Sequence, residues 1–172
     1  MSEKRCLIGV LTLSDKGAQN VREDTSGPLL AELVGRLGDV VCKELLPDEQ
    51  SRIEALLVDW CDNRRLDLVV TTGGTGLAPR DRTPEATRAV IEREVPGIAE
   101  AMRIQNLQKT PRAMLSRGIA GLRGKTLIIN LPGSPRALQE NLEVVLPALE
   151  HALQTANGSA YECASDSSKT AG

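Results

Sequence analysis

Short apolar runs alternate with amphipathic stretches along most of this chain. The run CLIGVLTL (6–13) ends in polar Ser14-Asp15-Lys16-Gly17 and predicts a buried strand. Residues 27–37 place Leu29, Leu30, Leu33, Val34 and Leu37 at helical spacing, with Pro28 suited to a first turn. VVCKELL (40–46) predicts a second strand, and residues 49–63 put Ile53, Leu56, Leu57, Trp60 and Cys61 on one helical face. LDLVVTT (66–72) reads as a third strand, apolar enough to be covered on both sides. After a glycine-rich loop, Thr83-Pro84-Glu85-Ala86 predicts a helix start with Thr83 as N-cap. Pro96 should break that helix, with another over about 97–108. Residues 113–131 read as two extended segments joined by Gly121-Leu122-Arg123-Gly124, with TLIINL as the fourth clear strand. Ser134-Pro135 opens a helix faced by Leu138, Leu142 and Val145, and Pro147 should kink or end it before a last segment near 148–155. Residues 157–172 are small, polar and aperiodic, and predict a disordered tail or linker stub after a folded domain of residues 1–156.

Strands separated by helices imply an α/β fold with a mostly parallel sheet and helices on both faces. In such sheets ligands bind beyond the C-terminal ends of the strands. The loops leaving the strands therefore carry the candidate chemistry. Gly73-Gly74-Thr75-Gly76 is either a tight strand-to-helix turn or a backbone nest for an anion, and it does not fit the dinucleotide fingerprint. Asp81, between Arg80 and Arg82, is either a carboxylate favouring the positive end of the next helix or a holder of Mg²⁺ at a polyphosphate. Asp48 suits an N-cap for the helix at 49–63, and it also stands where the sheet topology would bring it toward Asp81. Ser14-Asp15, the segment from Arg22 to Gly27 with Asp24, and Asn130-Leu131-Pro132-Gly133-Ser134 offer the same choice between ordinary capping and an anionic-ligand site. Gly121-Leu122-Arg123-Gly124-Lys125-Thr126 imitates a P-loop. However, the first glycine of that motif would fall at Ile119, and Lys125-Thr126 opens a strand rather than a helix.

Composition narrows these options. At 172 residues the chain is about one domain, using roughly 150 residues per domain. Twenty-one Lys and Arg against 23 Asp and Glu argue against a general nucleic-acid binder, as does the presence of one Trp, one Tyr and no Phe. No apolar run approaches the ~20 residues of a membrane span. The N-terminus lacks a signal or transit pattern, so a cytosolic protein is expected. Cys6, Cys42, Cys61 and Cys163 form no CxxC pair, and with His151 the sole histidine a zinc site is not expected. Cys6, Cys42 and Cys61 read as core thiols.

The segment TTGGTGLAPRDRTPEAT (71–87) resembles the signature of molybdenum-cofactor biosynthesis proteins of the MogA/MoaB type. The likeness continues through LTLSD (11–15), DTSGP (24–28), LPDE (46–49), MLSRGIAGLRGKTLIINLPGSPRA (114–137) and LPALEHAL (146–153), and is nearest to the G domains of gephyrin and of the plant molybdenum insertase. The resemblance implies a three-layer αβα sandwich with a small β-hairpin, commonly a homotrimer, and Mg-ATP-dependent adenylylation of molybdopterin with release of pyrophosphate. It implies that Asp48 and Asp81 are the catalytic and Mg²⁺-handling acids. Gly73, Gly74, Thr75 and Gly76 match its phosphate region, and Ser14, Asp15 and Asp24 its loop after the first strand. Ser116, Asn130, Pro132, Gly133 and Ser134 match positions lining its pterin and nucleotide cleft, and Arg80 would steer phosphates. Two positions depart from the family pattern: Leu77 stands where an aromatic is frequent, and Arg82 stands between RD and TP. The rival readings are a non-catalytic molybdopterin-binding or trimeric scaffold module and a nucleotide pyrophosphatase. A molybdenum-insertase domain in the same or another chain is a further implied partner.

Overall fold

The computed structural model describes residues 5–21 and 23–158. Arg22, Cys163 and the part of the expected tail or linker stub beyond Gly158 lie outside the described residues. Six strands form one sheet in the order β2-β1-β3-β6-β5-β4. Strands β1 (Cys6–Leu13), β2 (Gly38–Leu46), β3 (Leu68–Thr72) and β6 (Thr126–Leu131) run parallel, while β4 (Arg93–Glu94) and β5 (Ala120–Arg123) add an antiparallel edge. Every residue of β3 and β6 is buried, as expected of central strands covered on both faces.

The helices supply the two outer layers. On one face, α2 (Ser26–Val34), α5 (Pro96–Leu107) and α6 (Pro135–Asn157) bury Leu30, Met102, Leu138 and Leu142 against Ile8, Val10, Val70 and Ile129. On the other, α3 (Gln50–Val58) and α4 (Thr83–Val90) bury Ile53, Leu57 and Ala86 against Leu11, Val69 and Ile128. The period of two along β1 divides its side chains between the two cores. A one-turn helix, α1 (Asp15–Ala18), follows β1 directly. The α/β three-layer expectation is therefore met.

Local differences from the sequence expectations have physical causes. Trp60 and Cys61 are both buried, and the helix widens there into a π turn over Asp59–Asn63 instead of remaining α to residue 63. Pro147 does not end α6, which continues to Asn157. Proline in a helix interior costs about 3 kcal/mol. Beyond Pro147, Leu149 and Leu153 continue the buried stripe, at roughly 1.5–3 kcal/mol each. Pro147 and Glu143 both face solvent, so water can reach the carbonyl that the missing N–H leaves unpaired. The hairpin turn falls at Gly124-Lys125 rather than at 121–124, with Gly124 at φ +54°. The first extended segment expected in 113–131 begins instead as a 3₁₀ turn, Pro111–Leu115. The helix from Thr83 ends at Val90, before Pro96 is reached.

Candidate active site

The C-terminal ends of β1, β2, β3 and β6 gather most of the residues singled out in the sequence. Asp15 and Asp48 are bound to each other through main chain and side chain. The Asp15 N–H donates to Asp48 Oδ2 at 3.2 Å, and the Asp48 N–H donates to Asp15 Oδ1 at 3.0 Å. Asp48 is thus not the helix cap its position suggested: the cap residue is Glu49, and the Asp48 side chain turns toward β1. Arg80 closes on Asp15 with a bidentate pair, Nε to Oδ2 at 2.8 Å and Nη2 to Oδ1 at 2.7 Å. That guanidinium holds the Asp15 carboxyl below its usual range. Burial raises the Asp48 carboxyl, and the charges of Asp15 and Asp81 push it the same way. Asp48 Oδ1 is buried with no hydrogen-bond partner, a costly state for a carboxylate oxygen.

The loop after β3 explains where that oxygen points. Gly73 and Gly74 take φ +101° and +63°, a left-handed pair that reverses the chain directly after β3. A Cβ on Gly74 would stand 2.2 Å from Thr83 Oγ1 and 2.7 Å from Asp48 Oδ1. The bare Gly74 backbone therefore lies against the unpartnered oxygen. Thr83 is not an N-cap as predicted. Arg82 holds that place, and the Thr83 hydroxyl donates back to Gly73 O at 2.9 Å, pinning the loop to the start of α4. Asp81 flanks the other end of the loop. Its Oδ2 accepts from the Ala78 N–H at 3.0 Å and would lie 2.8 Å from a Cβ on Gly76.

The last strand's loop seals this end. Gly73 N–H donates to Leu131 O at 3.1 Å, Thr72 Oγ1 to Pro132 O at 2.9 Å, and Ser26 Oγ to Gly133 O at 2.7 Å. Asp24 Oδ1 accepts from the N–H groups of Ser26 and Gly27, so it caps α2 beside Thr12. Ser14 and Ser134 are occupied as caps of α1 and α6. Asn130 is buried, with its amide spent on Thr71, Thr87 and the Ile119 N–H. It fixes β6 to β3 and α4 instead of facing an open cleft. Ser116 follows the 3₁₀ turn, its carbonyl accepting from Arg103 at 3.4 Å. Beside Asp48 an open depression of about 500 Å³ is bordered by Arg80, Arg82 and Glu54. On the opposite face a second one, of about 490 Å³, includes Thr12, Asp24 and Lys43.

Sequence reasoning passed over Arg117 and Glu85. Arg117 bonds Gly76 O and Asp81 O and pairs with Glu85, whose carboxyl it holds below the ordinary range. The available signal was a lone arginine between Ser116 and Gly118 in an otherwise small and apolar stretch. Among the described residues, no group of three or more His, Cys, Asp or Glu side chains could hold a metal by itself. A hard cation here would draw one or two carboxylates from the protein and the rest from substrate or water, the usual Mg²⁺ arrangement.

Residues 9–151 match the profile of a family described as a probable molybdopterin binding domain. The chain belongs to that family. The chain is 45% identical over 154 residues to a molybdopterin adenylyltransferase of Helicobacter pylori, covering 88% of each chain. It is 39% identical over 166 residues to gephyrin of Dictyostelium discoideum, covering 90% of this chain but 23% of gephyrin. The matched region also spans 18% of the molybdenum cofactor synthesis protein cinnamon of Drosophila melanogaster, so the chain corresponds to less than a quarter of either eukaryotic relative. Among solved structures, the molybdopterin biosynthesis enzyme MoaB of Thermus thermophilus superposes with a TM-score of 0.84 at 54% identity, covering 89% of this chain and 97% of that one.

Proposed function

We propose that this domain transfers the adenylyl group of ATP to molybdopterin, with Mg²⁺ held by Asp48 and Asp81. The observation that carries the reading is the buried, unpartnered Asp48 Oδ1 set against the Cβ-free backbone of Gly74. A carboxylate oxygen kept dry and unpaired at a strand end suits a hard cation, and Asp81 across the loop supplies a second hard donor. Magnesium bound there would neutralise phosphate charge.

The terminal phosphate oxygen of molybdopterin would attack the α-phosphorus of ATP, the bond to the β-phosphate oxygen would break, and pyrophosphate would leave. The protein's own contribution is then positioning and charge. The main chain of the loop at Gly73–Gly76 would receive phosphate, while Arg80 and Arg82 border the depression beside Asp48 as cations. Arg80 is paired with Asp15, so a polyphosphate would compete with that carboxylate for the guanidinium. The homotrimer and the cytosolic setting implied by the resemblance belong to the same proposal. Exposed Ile104, Leu107, Met114 and Leu115 on α5 and the following 3₁₀ turn offer apolar surface for another copy. Among the described residues no helix is long and apolar enough to cross a membrane.

The test is an adenylylation assay with purified protein, molybdopterin and ATP, with and without Mg²⁺ and a chelator. AMP appearing on molybdopterin, with equal pyrophosphate, only when Mg²⁺ is present is the expected result. Molybdopterin binding without transfer would move the domain to the carrier or scaffold reading. Pyrophosphate release without molybdopterin would favour the hydrolase.

A further inference from the structure

We propose that Arg117 is a positioning residue that straps the Gly76–Asp81 excursion shut and so sets the place of the Asp81 carboxylate. The inference rests on the reading above that Asp81 works in the site. Arg117 touches the loop at both ends. Its N–H donates to Thr75 O at 2.9 Å, its Nε to Gly76 O at 2.7 Å and its Nη2 to Asp81 O at 2.8 Å. Its remaining reach goes to Glu85 in the first turn of α4, which fixes the plane of the guanidinium. Beyond Arg117, the excursion is tied outward by the Arg80–Asp15 pair, whose arginine side chain is exposed and which, as a surface ion pair, holds it only weakly. Its internal ties are two bonds between Ala78 and Asp81, and Leu77 is 65% exposed. An exposed loop with so few apolar contacts opens readily unless its ends are bound. The five donors of one guanidinium match this set of two carbonyls and a carboxylate, whereas an ammonium group has three donors on one atom and lacks the fixed fork that holds all of them in place.

The test compares wild type with Arg117→Lys and Glu85→Gln, using hydrogen exchange on the free protein and steady-state kinetics. Arg117→Lys should speed exchange of the amides at 76–82 selectively. It should lower kcat about a hundredfold, the size expected from a small misplacement of a reacting group. The KM for molybdopterin should stay within about twofold. Glu85→Gln, which keeps both carbonyl bonds, should lie between the two. A raised KM with unchanged exchange would overturn the proposal, because Arg117 would then contact substrate. Exchange raised equally across the whole domain with kcat unchanged would also overturn it, leaving a purely structural role. If wild type shows no adenylyl transfer, the exchange experiment still decides whether the strap exists, and unchanged loop exchange in Arg117→Lys overturns it.

Discussion

Replacing Gly74 with alanine separates two reasons for glycine at the strand end. At φ +63°, any other residue bears a left-handed backbone cost of about 1–2 kcal/mol. The added methyl would also sit 2.2 Å from Thr83 Oγ1, so the threonine must move and its buried bond to Gly73 O is lost, at about 1–3 kcal/mol. The sum is about 2–5 kcal/mol. For a domain of this size each kcal/mol moves the midpoint by about 2–4 °C, so thermal unfolding should fall by about 4–20 °C. Gly124→Ala is the control: φ is +54° but nothing lies within 4 Å, so only the backbone cost of about 1–2 kcal/mol remains. Because the methyl also meets Asp48 Oδ1 at 2.7 Å, Gly74→Ala should abolish the rise in midpoint on adding Mg²⁺, and Gly124→Ala should keep it. Differential scanning calorimetry with and without Mg²⁺ reads both effects. Equal losses in the two variants would refute the crowding argument, and a Mg²⁺ response surviving in Gly74→Ala would refute the placement of the cation.

Asp48→Asn should melt a few degrees higher than wild type at pH 7 while losing transfer activity. Because burial raises the carboxyl in the folded state, Asp48 contributes most below its unfolded pKa, and that contribution fades as pH rises through the folded value. The gap between variant and wild type should therefore open as pH rises through the carboxylate range, level off above it and close below it, and melting curves from pH 4 to 8 would contradict this if the variant were less stable at neutral pH. Asn130→Ala should cost about 3 kcal/mol in urea unfolding, since Thr71, Thr87 and the Ile119 N–H all lose a buried partner; a loss below about 1 kcal/mol would mean that water replaces the amide easily.

The layers and the gathering of the candidate residues at the strand ends were legible because they depend on periodicity and on the order of the elements along the chain. Uninterrupted burial of LVVTT and TLIINL marks central parallel strands. Three glycines in four residues marked a tight turn after β3, which Gly73 and Gly74 make with positive φ. The capping alternatives for Asp48 and Thr83 failed because cap preference is a local rule, and here longer-range partners took precedence: Asp48 faces the main chain of Asp15, and Thr83 faces Gly73. Pro147 misled for a similar reason, since the buried stripe on both sides of it outweighs one missing hydrogen bond on the wet face. Arg117 was illegible because two of its partners are backbone carbonyls 41 and 36 residues away, and a carbonyl carries no side-chain signature.

The bonds from Gly73 to Leu131 and from Thr72 to Pro132 bear on the order in which the protein becomes competent during its synthesis. A ribosome delivers β1, β2 and β3 together with both aspartates well before β6. Until β6 emerges, the central strand β3 lacks one neighbour and the glycine loop lacks its anchor. A nascent chain stalled before residue 131 would carry every acidic group of the site without the scaffold that aims them. Parallel pairing across such long separations is also slow to form. Competence thus arrives late and as a single event, so truncated translation products would be inert instead of partly active.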